Sequence, residues 1–396
     1  MTKPTTRKGF DRVAMLHRPV EELEYLRLAG GILWSETQLI WMVSDHQITM
    51  EALRNRSLAV LDALAVTHAL AEKSGVDFSG LSSVTPWIPF TLEGSDHKSK
   101  RKLVAKFLSD IRPDYLKIYQ GVSAELLSGM VKDDEADFVK HYAYRVHVMT
   151  MARLVGFDEE SAHWFAHNLS SDGLADFVFR LAEVVEANTR IGAAVSRLTE
   201  ILTRDSCKEF VSRMDEHLIA ENYETDLHNR VHLLFALLLL GRDTIGGSTA
   251  VGLHLFLEEN NGKVKSSDWL PTKAMVNEFI RRSSAVQMVF RVATEDTSLG
   301  GHLIKKGEKA VIYLVGSNHD PAVFQCPHSF SADRPAHLAF GSARHLCSGM
   351  PMAKDALAIT IGQLRDFACI QALPGAEYHA GNRLHRKMQS LPVKLG

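Results

Sequence analysis

The chain has 396 residues, of which 45% are hydrophobic and 23% charged, the balance of an ordinary globular protein with material for a large core. That composition excludes a disordered chain, and a formal net charge of −2 leaves no global attraction for nucleic acid or for an anionic membrane. The N-terminal stretch carries Lys3, Arg7 and Lys8 without an apolar run, and the longest apolar run, 233–240, is too short to span a bilayer, so a soluble, cytoplasmic protein with no membrane segment is expected.

No linker rich in Pro, Gly or Ser, no charge block and no repeat divides the sequence, and a single domain over 1–396 is expected. In chain order, two β-like runs come first, at 31–34 and 39–43. Apolar residues at three- and four-residue steps then predict helices over 104–127, 138–154, 159–168, 172–203 and 227–257. Short β-like runs return at 290–294, 309–313 and 391–395. The expected fold class is mainly α with small peripheral β-sheets. Between 313 and 340 lie Gly316, Asn318, Asp320, Pro321, Pro327 and Pro335 with no strong periodicity. A meander of that length inside a compact domain is functional or tied down by specific contacts.

Cys207, Cys326, Cys347 and Cys369 are scattered with no Cys-x-x-Cys spacing, which argues against a structural zinc site and against a disulfide framework. Cys347 stands out because of its loop, Phe340-Gly341-Ser342-Ala343-Arg344-His345-Leu346-Cys347-Ser348-Gly349. Its small residues let a flat cofactor approach the backbone, and a thiolate there can accept hydrogen bonds from loop amides. Upstream, Glu278 and Arg281 stand three apart and share a helix face. Alone such a pair usually marks a solvated surface. What gives it weight is the order of Glu278-x-x-Arg281, Arg291, Asn318-His319-Asp320-Pro321, Asp333-Arg334-Pro335 and the Cys347 loop. Within the apolar helix, Asp243 and Thr244 put an acid and a hydroxyl side by side, next to Gly241, Gly246 and Gly247, whose small size permits close approach of a flat ligand. Each glycine weakens a helix by roughly 1 kcal/mol relative to Ala, so a kink or break explains the polar pair as well as catalysis does.

In this order the segments resemble the cytochrome P450 family of haem-thiolate enzymes, in a soluble, bacterial-type form. The resemblance implies the P450 fold and haem b, iron protoporphyrin IX, with Cys347 as axial thiolate and metal ligand. Phe340, Gly341, His345 and Gly349 match the family's loop, while Ala343 stands where glycine is usual. Glu278 and Arg281 with Arg334 would form the structural triad that locks the meander. His97 and Arg101, in a His-x-x-x-Arg helix start, together with Arg291 and His345, would hold the haem propionates. Thr244 would hydrogen-bond dioxygen and Asp243 would feed it protons, with Leu240 and Arg242 as departures from the usual pattern.

The resemblance further implies hydroxylation of a small organic molecule, in secondary metabolism, by a monomer fed by a separate ferredoxin and reductase. Lys98, Lys100, Arg101, Lys102, Arg112 and Arg344 would offer that partner a basic face. Coupling, ring formation, desaturation, peroxide-driven oxidation or a non-catalytic haem-binding role are the alternatives. The substrate pocket is expected to draw on Trp87, Phe90, Ala236, Leu237, Leu240, Val286, Met288, Val289, Lys387 and Met388. The segment 170–190, with Phe177, Phe179 and Arg180, would cover it.

Overall fold

A computed structural model gives the fold, describing residues 3–6, 15, 17–131, 136–172, 181–268, 270–380 and 384–396. Its axis is the helix Leu227–Glu259, here called the central helix, started by Asp226, whose carboxylate accepts from the Asn229 amide at 2.7 Å. It is long and apolar enough to cross a membrane. It is instead buried on most of its length inside the protein, against the helices Val146–Val155, Leu181–Ile201, Lys273–Ser283 and Met350–Leu364.

The helix continues unbroken through its glycines, which serve packing. A Cβ on Gly241 would lie 2.3 Å from the His147 ring, and one on Gly246 would lie 2.4 Å from Tyr144 Cδ1. The space that the sequence suggests for a flat ligand is thus filled by neighbouring side chains at these two positions.

The first long helix begins ten residues before its clear apolar pattern and runs Gly94–Met130, with Pro113 inside it, so that His97 and Arg101 lie in its opening turns. The helix expected over 138–154 divides into a π-helical turn, Val139–Ala143, and the helix Val146–Val155. The wide turn puts the Tyr142 hydroxyl between Ser123 Oγ, 2.6 Å away, and Thr360 Oγ1, 2.7 Å away, which satisfies a phenol that burial would otherwise penalise. Further helices among the described residues include Pro19–Leu28, His46–Arg54, Ala63–Ser74, Ser79–Val84, Glu159–Asn168, Lys208–Ala220 and Met350–Leu364.

The larger sheet has six strands in the order Thr5–Thr6, Ile32–Ser35, Ile40–Val43, Lys309–Tyr313, Met288–Ala293, Leu58–Ala59. Ile40–Val43 pairs parallel with Lys309–Tyr313, and Met288–Ala293 pairs antiparallel with the same strand. A smaller sheet joins Ala136–Asp137, Pro392–Leu395, Cys369–Ala372 and Lys263–Lys265.

The meander between sheet and Cys347 loop is tied to the helix Lys273–Ser283. Arg281 is fully buried and gives Glu278 two bonds, at 2.7 and 2.9 Å, then reaches the Asn318 and Pro327 carbonyls, each at 2.9 Å. Arg334 Nε lies 3.6 Å from Glu278 Oε2, and its guanidinium also donates to Cys326 O and Ser329 O at 2.9 and 3.0 Å. One carboxylate therefore gathers two guanidiniums, which in turn satisfy the carbonyls of an irregular segment.

Candidate active site

The Cys347 loop closes when the Cys347 amide donates to the Phe340 carbonyl at 3.0 Å, and it runs directly into the helix Met350–Leu364. Gly341 has φ +70° and Ala343 φ +54°, both left-handed. That conformation costs an L-residue about 1–2 kcal/mol, so Ala343 bears strain that glycine would not. Burial pushes the Cys347 thiol up, while the Gly349 amide, the Arg101 charge and the Met350 amide pull it down. The side chain faces a cavity of about 310 Å³. Cys347 has accessible surface although protein surrounds it, and the cavity it lines accounts for that.

A polar cluster stands at one edge of this cavity. Arg101 donates to Leu346 O and, at 2.9 Å, to Ser348 Oγ, bracing the loop. The His97 and His345 rings are 4.3 Å apart, and His345 Nε2 lies 3.2 Å from Glu93 Oε1, which Arg344 also contacts at 3.2 Å. Burial raises the Glu93 pKa, but the bonds from His345 and Arg344 outweigh it and bring the carboxyl down to about 2. Burial and the neighbouring His345 bring His97 down to about 4. Arg291, 5% exposed, donates only to the Phe290 carbonyl, at 2.7 Å, among the described residues, and burial lowers its pKa to about 10. His97 Nε2 and His345 Nδ1 are buried with no hydrogen-bond partner among the described residues.

The central helix roofs the cavity. Ala236, Leu237, Leu240, Gly241 and Thr244 line it at helical spacing, and Thr244 Oγ1 donates to the Leu240 carbonyl at 2.6 Å. Asp243 lies on another side of the same helix and is completely buried. Its carboxylate accepts from Arg242, from the Ser171 amide at 2.8 Å and from the Ser171 hydroxyl, with Lys387 Nζ at 3.3 Å. Arg242 lies over the Tyr144 ring at 5.1 Å, and Lys387 bridges on to Asp172 at 2.6 Å. Burial disfavours the charged form of Asp243, but the Lys387 and Arg242 charges prevail and hold its pKa far below the carboxylate range.

Several expected positions are corrected. Phe90, Ala236, Leu237, Leu240, Val286 and Val289 line the cavity, whereas Trp87, Met288, Met388, Lys387 and Asp243 do not. Trp87 turns into the core against Tyr223, 5.7 Å away. Met288 sits one residue before Val289 on a strand, so its side chain falls on the opposite face, among Leu23, Met42 and Tyr313. Met388 belongs to the main core and gives its amide to Tyr144 Oη at 3.1 Å. Lys387 is consumed by the two aspartates. The basic face is partly neutralised, with Lys102 on Glu221, Arg112 on Asp355 and Arg344 on Glu93. Phe177, Phe179 and Arg180 lie outside the described residues. Sequence patterns did not single out Glu93, His147, Ser171 or His385. A lone histidine in an apolar stretch reads as core, and only the fold brings Ser171 to Asp243.

A sequence profile of the family described as Cytochrome P450 matches residues 267–368, the stretch that holds Glu278, Arg281, Arg334 and Cys347. Cytochrome P450 140 of Mycobacterium tuberculosis is 41% identical over 125 residues, covering 31% of this chain and only 28% of that relative. Cytochrome P450 105C1 of a Streptomyces species is 27% identical over 284 residues, covering 70% of this chain and 73% of the relative. In the stretch that carries Glu278, Arg281, Arg334 and Cys347 the chain is similar to the cytochrome P450 family.

The P450 fold extends over nearly the whole chain. P450BioI, solved in complex with hexadec-9Z-enoic acid ligated acyl carrier protein, superposes with a TM-score of 0.79 at 21% identity, covering 96% of this chain and all of that one. PksS, the cytochrome P450 of the Bacillus subtilis 168 bacillaene polyketide synthase, gives 0.77 at 20% identity, covering 98% of this chain.

Members of the cytochrome P450 family hold haem b on a cysteine thiolate, and the residues of this chain fit that group. No group of three or more His, Cys, Asp and Glu side chains among the described residues is placed to hold a metal. The unpartnered His97 and His345 nitrogens and the buried Arg291 guanidinium at the cavity edge suit the carboxylates that a haem carries.

Proposed function

We propose that this protein is a haem-thiolate monooxygenase that hydroxylates a small, largely apolar organic molecule. One atom of dioxygen enters the substrate, and the other leaves as water with two electrons and two protons. The observation that carries the reading is that Cys347 and Thr244 line the same, mostly apolar cavity.

Bound haem would supply the oxidising chemistry, to which a thiolate ligand would contribute electron density. Cys347 would be the ligand, and the amides of Gly349 and Met350 would stabilise its negative charge. His97, Arg101, Arg291 and His345 would hold the propionates and orient the cofactor. Thr244 commits its proton to the Leu240 carbonyl, which leaves its oxygen as an acceptor facing the cavity. The fixed charge of Asp243, next to Thr244 in sequence, favours movement of protons toward the roof. Glu278, Arg281 and Arg334 act on structure alone.

Electrons come from a separate ferredoxin with its reductase, docking near Lys98 and Lys100, which form no ion pair among the described residues. A secondary metabolite as substrate is supported by the likeness to PksS, a cytochrome P450 of a polyketide synthase. The test is the spectrum of the reduced, carbon monoxide-bound protein. The long-wavelength Soret band of thiolate-ligated haem is expected, and Cys347→Ser should abolish it. A wild-type protein without that band refutes the reading.

A further inference from the structure

A second hydroxyl stands on the roof of the cavity. Ser248 follows Thr244 by one turn of the central helix, half-buried, and lines the cavity on the stripe of Leu237, Leu240, Gly241 and Thr244. A serine or threonine inside a helix can turn its proton back to the carbonyl four residues earlier. Thr244 does so to Leu240 at 2.6 Å, Thr249 to Ile245 at 2.7 Å and Thr150 to Val146 at 2.6 Å. Ser248 makes no such bond to Thr244, and its hydroxyl has no hydrogen-bond partner among the described residues.

Other polar groups along the walls are engaged. Thr91 gives its one proton to the backbone, with the Thr85 carbonyl at 2.9 Å and that of Ile88 at 2.8 Å. His147 lies 3.1 Å from the Leu237 carbonyl, and His385 Nδ1 meets Ser171 Oγ at 3.2 Å. His97, Arg101, Arg291 and His345 stand together at one edge, where they suit carboxylates. Ser248 therefore brings an uncommitted O–H to a cavity whose lining is mostly apolar. It differs in this from Thr244, whose proton is given to Leu240 and whose oxygen can only accept. The two side chains are one turn apart, about 5–6 Å between Cβ atoms. A ligand group that has no proton of its own, such as a carbonyl, is served by Ser248 and not by Thr244.

We propose that Ser248 is a specificity-determining residue whose hydroxyl donates a hydrogen bond to a carbonyl oxygen of an otherwise apolar substrate. Ketones, lactones and esters are then the substrate class. The inference rests on the cavity being the substrate site of a haem enzyme. A hydroxyl left unpaired in apolar surroundings is costly, and a ligand that completes the bond is favoured over an analogue that cannot.

The test uses the haem-loaded enzyme and matched pairs of probes: 1-tetralone with tetralin, 1-indanone with indane, acetophenone with ethylbenzene. Binding is read by calorimetry. Ser248→Ala keeps a good helix former at the position and removes only the hydroxyl. It should weaken each ketone about 5-fold, the worth of one hydrogen bond, and leave the hydrocarbons unchanged. A wild type that binds none of the ketones, or a variant that changes both members of a pair alike or neither, overturns the proposal.

The carbonyl stretch of bound 1-tetralone, labelled with carbon-13 and read by infrared difference spectroscopy, gives a second readout. A donated hydrogen bond lowers that frequency, so it should lie lower in the wild type than in Ser248→Ala, and equal frequencies overturn the proposal. The same samples, reduced under carbon monoxide, report the Soret band. Its absence from the wild type refutes the haem reading, whereas its presence with equal carbonyl frequencies refutes only the role of Ser248.

Discussion

Acidification from pH 7 to pH 5 should weaken the fold through buried histidines before ordinary carboxylates titrate, and His147 isolates the effect. Its side chain is 2% exposed, with Nδ1 2.7 Å from Tyr115 Oη and Nε2 3.1 Å from the Leu237 carbonyl. A carbonyl can only accept, so Nε2 carries the proton of the neutral ring and Nδ1 accepts from the tyrosine. Burial lowers the pKa from 6.5 to about 4, with the Leu237 bond opposing and the Arg242 charge assisting. Below pH 6.5 the unfolded chain takes up a proton that the folded ring refuses until about pH 4. The unfolded state binds more protons across that window, so stability falls as the pH falls.

At pH 5 the unfolded state gains a factor of about 30, or roughly 2 kcal/mol, and by pH 4 the loss approaches about 3 kcal/mol. His147→Gln keeps a donor for the Leu237 carbonyl and removes the titration. Urea unfolding at both pH values measures the difference. The wild type should lose about 2 kcal/mol more than the variant between pH 7 and pH 5. Equal losses would refute the claim that the folded ring stays neutral.

Ala343→Gly should raise stability by about 0.5–1 kcal/mol, since relief of left-handed strain exceeds the extra entropy that glycine gives the unfolded chain; the urea midpoint checks it, and a lowered midpoint would contradict it. Arg291→Leu should act in opposite directions on the two forms of the protein. Without haem it removes a buried guanidinium that has no carboxylate partner among the described residues, so the melting temperature should rise. With haem it removes a propionate partner, so transfer of haem to an acceptor globin should quicken.

The parts of the site legible in sequence are those whose chemistry sits within a few residues. Cys347 with its flanking glycines, and Glu278 with Arg281, are local patterns, and the fold joins the latter to Arg334 through one shared carboxylate. Thr244 and Leu240 could be assigned to one side of a helix because their spacing is helical. Met288 could not be separated from Val289, because one step along a strand exchanges cavity for core. The Lys208–Ala220 helix did carry a readable signal, with Phe210, Met214 and Leu218 buried four residues apart. His385 and Ser171 were illegible for a different reason. Their meaning lies in a contact spanning more than half the sequence, and neither neighbourhood contains a hint of the other.

The pairing of Ile40–Val43 with Lys309–Tyr313 sets an order of assembly at the ribosome. The first of these strands must wait, unpaired on that edge, until the chain through Tyr313 has emerged, and contacts of such separation form late. The cavity follows the same timetable, since its walls run from Leu53 near one end of the chain to His385 near the other. The helices between them can collapse during synthesis, but the pocket is finished only once the stretch around His385 has emerged. A prematurely terminated chain that ends after Gly349 still presents Cys347, yet it lacks His385 and Lys387, leaving Asp243 with half of its cationic support and the cavity with an open wall.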